Sequence, residues 1–183
     1  MSFIQNTKLF FHRYFLKKQL QQFKRSNKNR SISFGNARSI GILFNATELD
    51  NRKTAMKYAE NLKAKGKKVK LLGFFDNQME DENFTFDHFN RKQLDWALRP
   101  KSEVVSAFLK QPFDYLINIE PETNLYSEYI ATLSQAHLKV GPYTEQSACY
   151  DLMIDAKDKT NVWDFINNIE LLLEKTNTRH AAA

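Results

Sequence analysis

The sequence predicts an α/β fold of three layers, in which a largely parallel sheet of about five strands has helices on both faces and follows a basic amphipathic N-terminal helix. Two observations lead to this prediction. Beyond residue 38, short apolar runs alternate with amphipathic segments, which is typical of parallel strands joined by crossover helices. The 183 residues are 42% hydrophobic and 26% charged, a composition that supports one folded domain with a sizeable core.

The first predicted unit is β-α-β. Residues 39–44 have the pattern of a buried strand, and Thr47-Glu48-Leu49-Asp50 resembles a capping box that opens a helix. Gly66 ends this helix, and residues 69–75 form the second strand. The later strands are predicted at 113–119, at 138–140 before a break at Gly141-Pro142, and at 152–154. The later helices are predicted at 102–110, 124–136 and 162–175.

The chain is predicted to have three parts. Residues 1–38 form a basic-aromatic helix and an extended arm, residues 39–176 form a single α/β domain, and residues 177–183 form a disordered tail or a cloning remnant. The single cysteine, Cys149, excludes an intramolecular disulfide framework, and we expect no disulfide-linked partner. Because basic residues interrupt every apolar run near the N-terminus, we expect a cytoplasmic protein without a signal peptide or a membrane span.

The net charge of +6 is distributed unevenly along the chain. Residues 1–40 contain nine basic residues and no acidic one, whereas the rest of the chain contains 18 basic and 21 acidic residues. A chain with this asymmetry suits an anionic partner at its N-terminal end, either nucleic acid or a lipid surface. The nine basic residues are Lys8, Arg13, Lys17, Lys18, Lys24, Arg25, Lys28, Arg30 and Arg38.

The N-terminal helix is predicted to be apolar nearly all round in its first half. On a helical wheel, Leu9, Leu16, Leu20 and Phe23 share one stripe, and four aromatic residues spread over the opposite side. Such a helix needs both its own domain and a second partner to cover it. The predicted apolar anchor for that partner is Phe10, Phe11, Tyr14 and Phe15. The predicted anion-binding residues are Arg13, Lys17, Lys18, Lys24, Arg25, Lys28 and Arg30, extended by Lys63, Lys65, Lys67 and Lys68 if the fold brings these to the same side.

Several functions fit this pattern. The N-terminal helix could be a structural helix with a solvated basic face, a docking element for structured RNA or the ribosome, or an element that binds an anionic membrane surface such as the inner membrane. A protein partner is also compatible with it. We interpret the chain as a non-enzymatic binding protein that docks on RNA or the ribosome. The alternatives are a peripheral membrane adaptor and a small-molecule-binding or glycosyltransferase-like domain.

The sequence contains no recognisable active site. The loops after the predicted strands match neither GxGxxG nor GxxxxGK, so no phosphate-binding loop is expected. Glu120 and Glu122 could form an acid/base pair, but acids beside a proline are expected to be the solvated start of a helix. His88 has no second ligand at metal-binding spacing, and Cys149 is expected to be an inert core residue. We therefore expect no catalytic residue, no metal and no cofactor.

The segment 113–155 resembles known proteins. Its "FDYLIN" strand, "KVGPY" turn and "YDLMID" segment resemble the pattern of a family of small uncharacterised bacterial proteins. Members of that family also begin with a short basic helix and a strand like "SIGILFN". The likeness extends over residues 8–175 and implies the fold and a one-domain organisation, without an activity.

A more distant likeness concerns the acceptor-side, N-terminal half of heptosyltransferase-like glycosyltransferases. There, a "D-x-[IV]-[IV]-[DN]-L" strand is followed by a helix and an "R-V-G" strand, to which residues 114–118 and 139–141 are similar. The chain departs from that pattern because it has no counterpart of the nucleotide-sugar-binding half and no glycine-rich turn in its first β-α loop. The resemblance thus implies a related scaffold without transfer chemistry.

Overall fold

The computed structural model describes residues 3–22, 32–77, 84–146, 148–156 and 160–181. This part of the chain contains five α-helices, six strands and one short 3-10 turn, Arg91–Gln93. The helices are α1 Phe3–Gln22, α2 Leu49–Ala64, α3 Glu103–Leu109, α4 Leu125–Leu133 and α5 Val162–Ala181. The strands are β1 Ser39–Asn45, β2 Lys68–Phe75, β3 Asp87–Asn90, β4 Tyr115–Asn118, β5 Leu138–Pro142 and β6 Leu152–Ile154.

The six strands form one sheet in the order β3-β2-β1-β4-β5-β6, and every neighbouring pair is parallel. The chain therefore starts in the middle of the sheet, builds outward to β3, and then returns to build the other half from β4. This is the strand order of a doubly wound α/β fold, whose topological switch point lies between β1 and β4. The predicted α/β class and parallel sheet are confirmed, and the sheet has one strand more than the five that were located.

Helices cover both faces of the sheet. On one face, α2 and α5 bury Tyr58, Leu62, Phe165 and Ile169 against the strands. On the other face, α3 and α4 form a second apolar cluster, against which Leu16 of α1 packs. Helix α1 is therefore an extra element of the layer that contains α3 and α4, on the side of the sheet opposite α2 and α5.

Strand β1 shows why the middle of the sheet is almost entirely apolar. Ile42 and Phe44 belong to the cluster under α2 and α5, whereas Leu43 belongs to the cluster under α3 and α4. Successive side chains of a strand point to opposite faces, so a strand that is covered on both faces needs apolar residues at consecutive positions. This requirement produces the continuous run that made β1 easy to predict.

Three local predictions differ from the structure. The capping box at residues 47–50 does not form, because the hydroxyl of Thr47 accepts a hydrogen bond from the backbone N–H of Asp76 (2.8 Å) and Glu48 is the N-cap residue. Strand β5 continues through Gly141 and Pro142, which pair with β6. Helix α5 continues to Ala181, beyond residue 176 where the domain was predicted to end.

Candidate functional site

Helix α1 is held on the domain mainly by its inner face. The side chain of His12 is 1% exposed, and its Nδ1 lies 3.0 Å from the carbonyl oxygen of Ala97. The imidazole ring packs against Tyr129 of α4, whose hydroxyl donates to the side-chain oxygen of Gln19 (2.9 Å). These contacts, together with Leu16, fix the rotation of α1 about its own axis.

Two of the four predicted anchor rings are used by the fold itself. The rings of Phe11 and Phe15 pack edge-on against Trp96, with centroid distances of 5.1 and 6.1 Å. The guanidinium carbon of Arg99 lies 4.2 Å from the centroid of Phe15, and Arg99 is also paired with Asp95 at 2.6 Å. Both rings are half-buried, so they are less available to a partner than fully exposed rings.

The other two rings share an exposed strip with cations. Phe10 and Tyr14 are 66% and 54% exposed, and Arg13 and Lys17 are also exposed. These four residues have the i, i+3, i+4 and i+7 spacing of one helix face, and they border a shallow hollow of about 550 Å³. We call this set the α1 strip: Phe10, Arg13, Tyr14 and Lys17. Lys18 is exposed and adjoins it.

The remaining predicted cations are placed differently. Lys63 lies in the last turn of α2 and Lys65 is the C-cap residue of that helix, on the layer of the sheet opposite α1. The ammonium group of Lys65 lies 3.9 Å from the carboxylate of Glu170. Lys68 is exposed at the first position of β2. The fold therefore brings Arg13, Lys17 and Lys18 together, but it does not add the α2 lysines to them. Lys24, Arg25, Lys28 and Arg30, like Phe23, lie outside the described residues.

The side chain of Lys67 is buried and supports the fold. Its side chain is 8% exposed, and its ammonium group donates to the backbone carbonyls of Phe34 (2.8 Å), Gly35 (3.1 Å) and Ala37 (2.9 Å). This ammonium group holds the turn before β1 against the start of β2. Its donors are committed to carbonyl oxygens, so we leave Lys67 out of the proposed anion-binding set.

The burial of His12 predicts a pH dependence for the docking of α1. Desolvation lowers the pKa of His12 below its ordinary value of 6.5, although the nearby carbonyls of Ala97 and Leu98 and the carboxylate of Asp95 act in the opposite direction. Folding therefore favours the neutral ring. Stability from this residue is complete above pH 6.5 and is lost as the pH falls through the lower pKa of the folded state.

As the pH falls below 6.5, we expect a His12→Gln variant to lose less stability than the unmodified protein, because glutamine remains uncharged. Urea unfolding at several pH values measures this difference, with a His88→Gln variant as the control for an imidazole elsewhere. If the stability of the unmodified protein and of the His12→Gln variant changed identically with pH, burial of His12 would not be the source of the pH dependence.

A second candidate region is the crevice at the topological switch point. The chain leaves β1 and β4 toward opposite faces of the sheet, and a cavity of about 410 Å³ lies at the carboxyl ends of these strands. The carboxyl edge at a switch point is where doubly wound sheets bind ligands. The end of β1, the loop between β4 and α4, the first turn of α2 and the start of α5 line this cavity. Its polar lining residues are Asn45, Asn51, Glu120, Glu122, Thr123, Asn124, Thr160 and Asn161.

Glu120 is the buried carboxyl group of this crevice. Its side chain is only 9% exposed, and it accepts a hydrogen bond from the side-chain amide of Asn124. Burial raises the pKa of Glu120 to about 8, and the hydrogen bond from Asn124 only partly opposes this effect. The prediction that Glu120 and Glu122 form a solvated helix start is therefore wrong for Glu120, whereas Glu122 is exposed.

The described residues include no group of three or more His, Cys, Asp or Glu side chains that is placed to hold a metal ion. In residues 3–22, 32–77, 84–146, 148–156 and 160–181, no helix combines the length and the apolar content that crossing a bilayer requires.

Cys149 is buried beside Thr132, and desolvation raises the pKa of its thiol to about 11, which disfavours the nucleophilic thiolate.

Comparisons with known proteins identify a family and no function. The model of a family of unknown function, DUF6913, matches residues 8–175. Searches of curated proteins and of solved structures each found no match to this chain. The matched range includes most of α1, and the likeness to heptosyltransferase-like glycosyltransferases remains a prediction from the sequence.

Proposed function

The chain belongs to the DUF6913 family of unknown function, and we propose that it is a binding protein whose N-terminal helix docks on structured RNA such as the ribosome. The α1 strip is the single observation that supports this proposal most directly. It presents two exposed rings interleaved with two cations on one face of a helix whose other face is anchored to the domain.

The charge of this region is complementary to a phosphate backbone. Residues 1–40 contain no acidic residue, and neither Arg13 nor Lys17 forms an ion pair with any described residue. Binding of phosphates by such cations releases condensed counterions, which supplies affinity without sequence specificity. Arg13 and Lys17 are one helical turn apart, so both can reach phosphates along the same stretch of backbone.

The exposed rings are suited to unpaired bases. Proteins that bind single-stranded loops and bulges stack bases on aromatic side chains, and each stacked base contributes about 1–3 kcal/mol. Phe10 and Tyr14 do not take part in the contacts that hold α1 to Trp96, so their rings are accessible for stacking. A folded RNA offers both elements at once, namely phosphates and unstacked bases.

The same geometry favours RNA over a membrane surface. An interfacial helix inserts a broad apolar face into the lipid, with cations along its borders. In α1, Leu16 packs on the domain, and Phe11 and Phe15 are half-buried. Two of the four residues of the α1 strip are cationic. Little apolar surface is therefore available for insertion, although two rings among cations would still allow weak binding to an anionic leaflet.

Fluorescence anisotropy with a labelled RNA hairpin that has an unpaired loop tests the proposal. We expect the full chain to bind, and the affinity to fall steeply between about 50 and 300 mM salt. A Phe10→Ala/Tyr14→Ala variant should bind at least tenfold more weakly with an unchanged salt dependence, because stacking is lost and phosphate contacts remain. Trp163→Ala, which removes an exposed ring from α5 on the opposite layer, is the matched control.

Two outcomes would contradict the proposal. One is the absence of RNA binding at low salt by the full chain. The other is co-sedimentation with vesicles of anionic phospholipid that depends on Phe10 and Tyr14 and persists at high salt, since aromatic insertion into lipid is less sensitive to ionic strength than phosphate binding. The second outcome would assign α1 to a membrane surface instead.

A further inference from the structure

The crevice between β1 and β4 is built mainly from polar side chains. Side-chain amides from three different elements line it: Asn45 ends β1, Asn51 lies in the first turn of α2, and Asn161 precedes α5. Glu120 lies in the β4–α4 loop and is held there from two sides. Its backbone N–H donates to the side-chain oxygen of Asn118 (3.1 Å), and its carboxyl group accepts from Asn124.

The acidic groups of the crevice have no cationic partner among the described residues. Glu120 and Glu122 are the only charged side chains that line it in the described part of the chain, and no Lys or Arg is present there. A carboxylate that is removed from water is costly unless a cation or several hydrogen-bond donors compensate for it. For Glu120, the structure shows one compensating interaction, the hydrogen bond that the side-chain amide of Asn124 donates to its carboxyl group.

The starts of α4 and α5 at this crevice are poorly suited to an anionic ligand. Helix N-termini normally attract phosphate or carboxylate through their unpaired N–H groups. Here the side-chain oxygen of Asn124 accepts from the N–H groups of Tyr126 and Ser127, and the side-chain oxygen of Asn161 accepts from the N–H group of Asp164. These two caps occupy N–H groups of α4 and α5 that would otherwise bind an anion, and the acidic side chain of Glu122 would repel it.

A metal ion does not fit either, because the described residues offer no group of three or more carboxylate, imidazole or thiolate ligands. An ammonium group is suited to the site. It needs one carboxylate as a counter-ion, and its remaining N–H donors can be accepted by amide or hydroxyl oxygens, of which this crevice has several. The cavity of about 410 Å³ is large enough for a ligand of monosaccharide size.

We propose that the crevice at the carboxyl ends of β1 and β4 is a binding site for a small molecule with a primary ammonium group, with Glu120 as the counter-ion of that group. The amides of Asn45 and Asn51 bind the polar remainder of the ligand. This function is separate from the docking of α1 on RNA and does not depend on it.

The protonation of Glu120 is consistent with this role. Its raised pKa, about 8, reflects a carboxyl group that burial keeps from ionising easily. Among the described residues, the acidic Glu122 lines the same crevice, and the buried phenol of Tyr150 interacts electrostatically with Glu120; both would oppose ionisation of Glu120 if charged. A bound ammonium group would favour the carboxylate, so ligand binding is linked to proton release from Glu120.

Carbon-13 NMR of the glutamate side chains tests the counter-ion directly, with methylammonium chloride as the probe. The signal of Glu120 is assigned by its loss in the Glu120→Gln variant of the full chain. We expect methylammonium to lower the pKa of Glu120 by at least about half a unit relative to sodium chloride at the same concentration. Equal titration of Glu120 in the two salts would overturn the proposal.

Matched ligand pairs provide a second test. Glucosamine and glucose, and 4-aminobutanol and butane-1,4-diol, differ only in an ammonium group that replaces a hydroxyl group. We expect the amine of at least one pair to bind more tightly than its partner, as measured by chemical-shift changes at the crevice, and Glu120→Gln to weaken it about tenfold or more. Glu122→Gln, which changes an exposed acid of the same loop, should have a much smaller effect. If neither amine binds better than its hydroxyl counterpart, or if Glu120→Gln binds it equally well, the site does not select ammonium groups.

Discussion

Reversing the two charges of the α1 strip, with Arg13→Glu and Lys17→Glu in one variant, is expected to weaken binding to structured RNA by about 100-fold or more at low salt. Each substitution removes an attractive contact with a phosphate and adds a repulsive one. The two side chains are exposed and form no ion pair with a described residue, so the fold should remain intact. Electrophoretic mobility shift with a ribosomal RNA fragment measures the loss, and circular dichroism verifies the fold.

The matched control makes the same change of net charge elsewhere. Lys53→Glu and Lys57→Glu both lie on exposed positions of α2, on the layer of the sheet opposite α1. If binding depends on the α1 strip, this control should lose little affinity, because only long-range attraction is reduced. An equal loss in both variants would show that RNA responds to the total charge of the protein and not to this surface.

The second large effect concerns stability at β5, where Gly141 packs against Tyr150. A Gly141→Ala substitution is expected to lower the free energy of unfolding by about 2–3 kcal/mol, because a Cβ atom there would lie 2.5 Å from the ring of Tyr150. That ring cannot move aside easily, since it is buried and its hydroxyl accepts a hydrogen bond from the side chain of Asn118 (2.8 Å). The melting temperature should fall by about 5–10 °C.

Differential scanning calorimetry of Gly141→Ala and Gly35→Ala tests this expectation. Gly35 lies in the exposed turn before β1, and an added Cβ atom would meet no other atom within 4 Å. The Gly35→Ala variant should therefore melt close to the unmodified protein. A Gly141→Ala variant that melts at the same temperature as Gly35→Ala would mean that the ring of Tyr150 adapts without cost.

The prediction from sequence was most successful where local signals and burial agree. The β1-α2-β2 unit was located within one or two residues because continuous apolar runs mark strands covered on both faces, and Gly66 marks the helix end with a positive φ of 78°. The strand β3 was missed for the opposite reason. It has only four residues, two of them Asp87 and His88, and pairing with β2 at the sheet edge defines it as a strand.

The candidate sites were only partly predictable because burial is a tertiary property. Nothing in the local sequence distinguishes Lys67, which binds three carbonyls of a distant turn, from the exposed Lys68 beside it. Likewise, Glu120 and Glu122 look equivalent in sequence and both line the crevice, yet only Glu120 is buried there. Its backbone N–H donates to the side-chain oxygen of Asn118, and its carboxyl group accepts from the amide of Asn124. In α1, a helical wheel distinguishes the side with the aromatic rings from the leucine stripe. It cannot show that Phe11 and Phe15 pack against Trp96, which leaves the other two rings exposed.

The most direct test of the central claim is to irradiate the full chain bound to RNA with ultraviolet light and to map the cross-linked peptides by mass spectrometry. Rings stacked on bases cross-link efficiently, so docking through the α1 strip predicts adducts on the peptide that contains Phe10 and Tyr14, which disappear in the Phe10→Ala/Tyr14→Ala variant. Adducts confined to α2 or α5, on the opposite layer of the sheet, would contradict docking through α1.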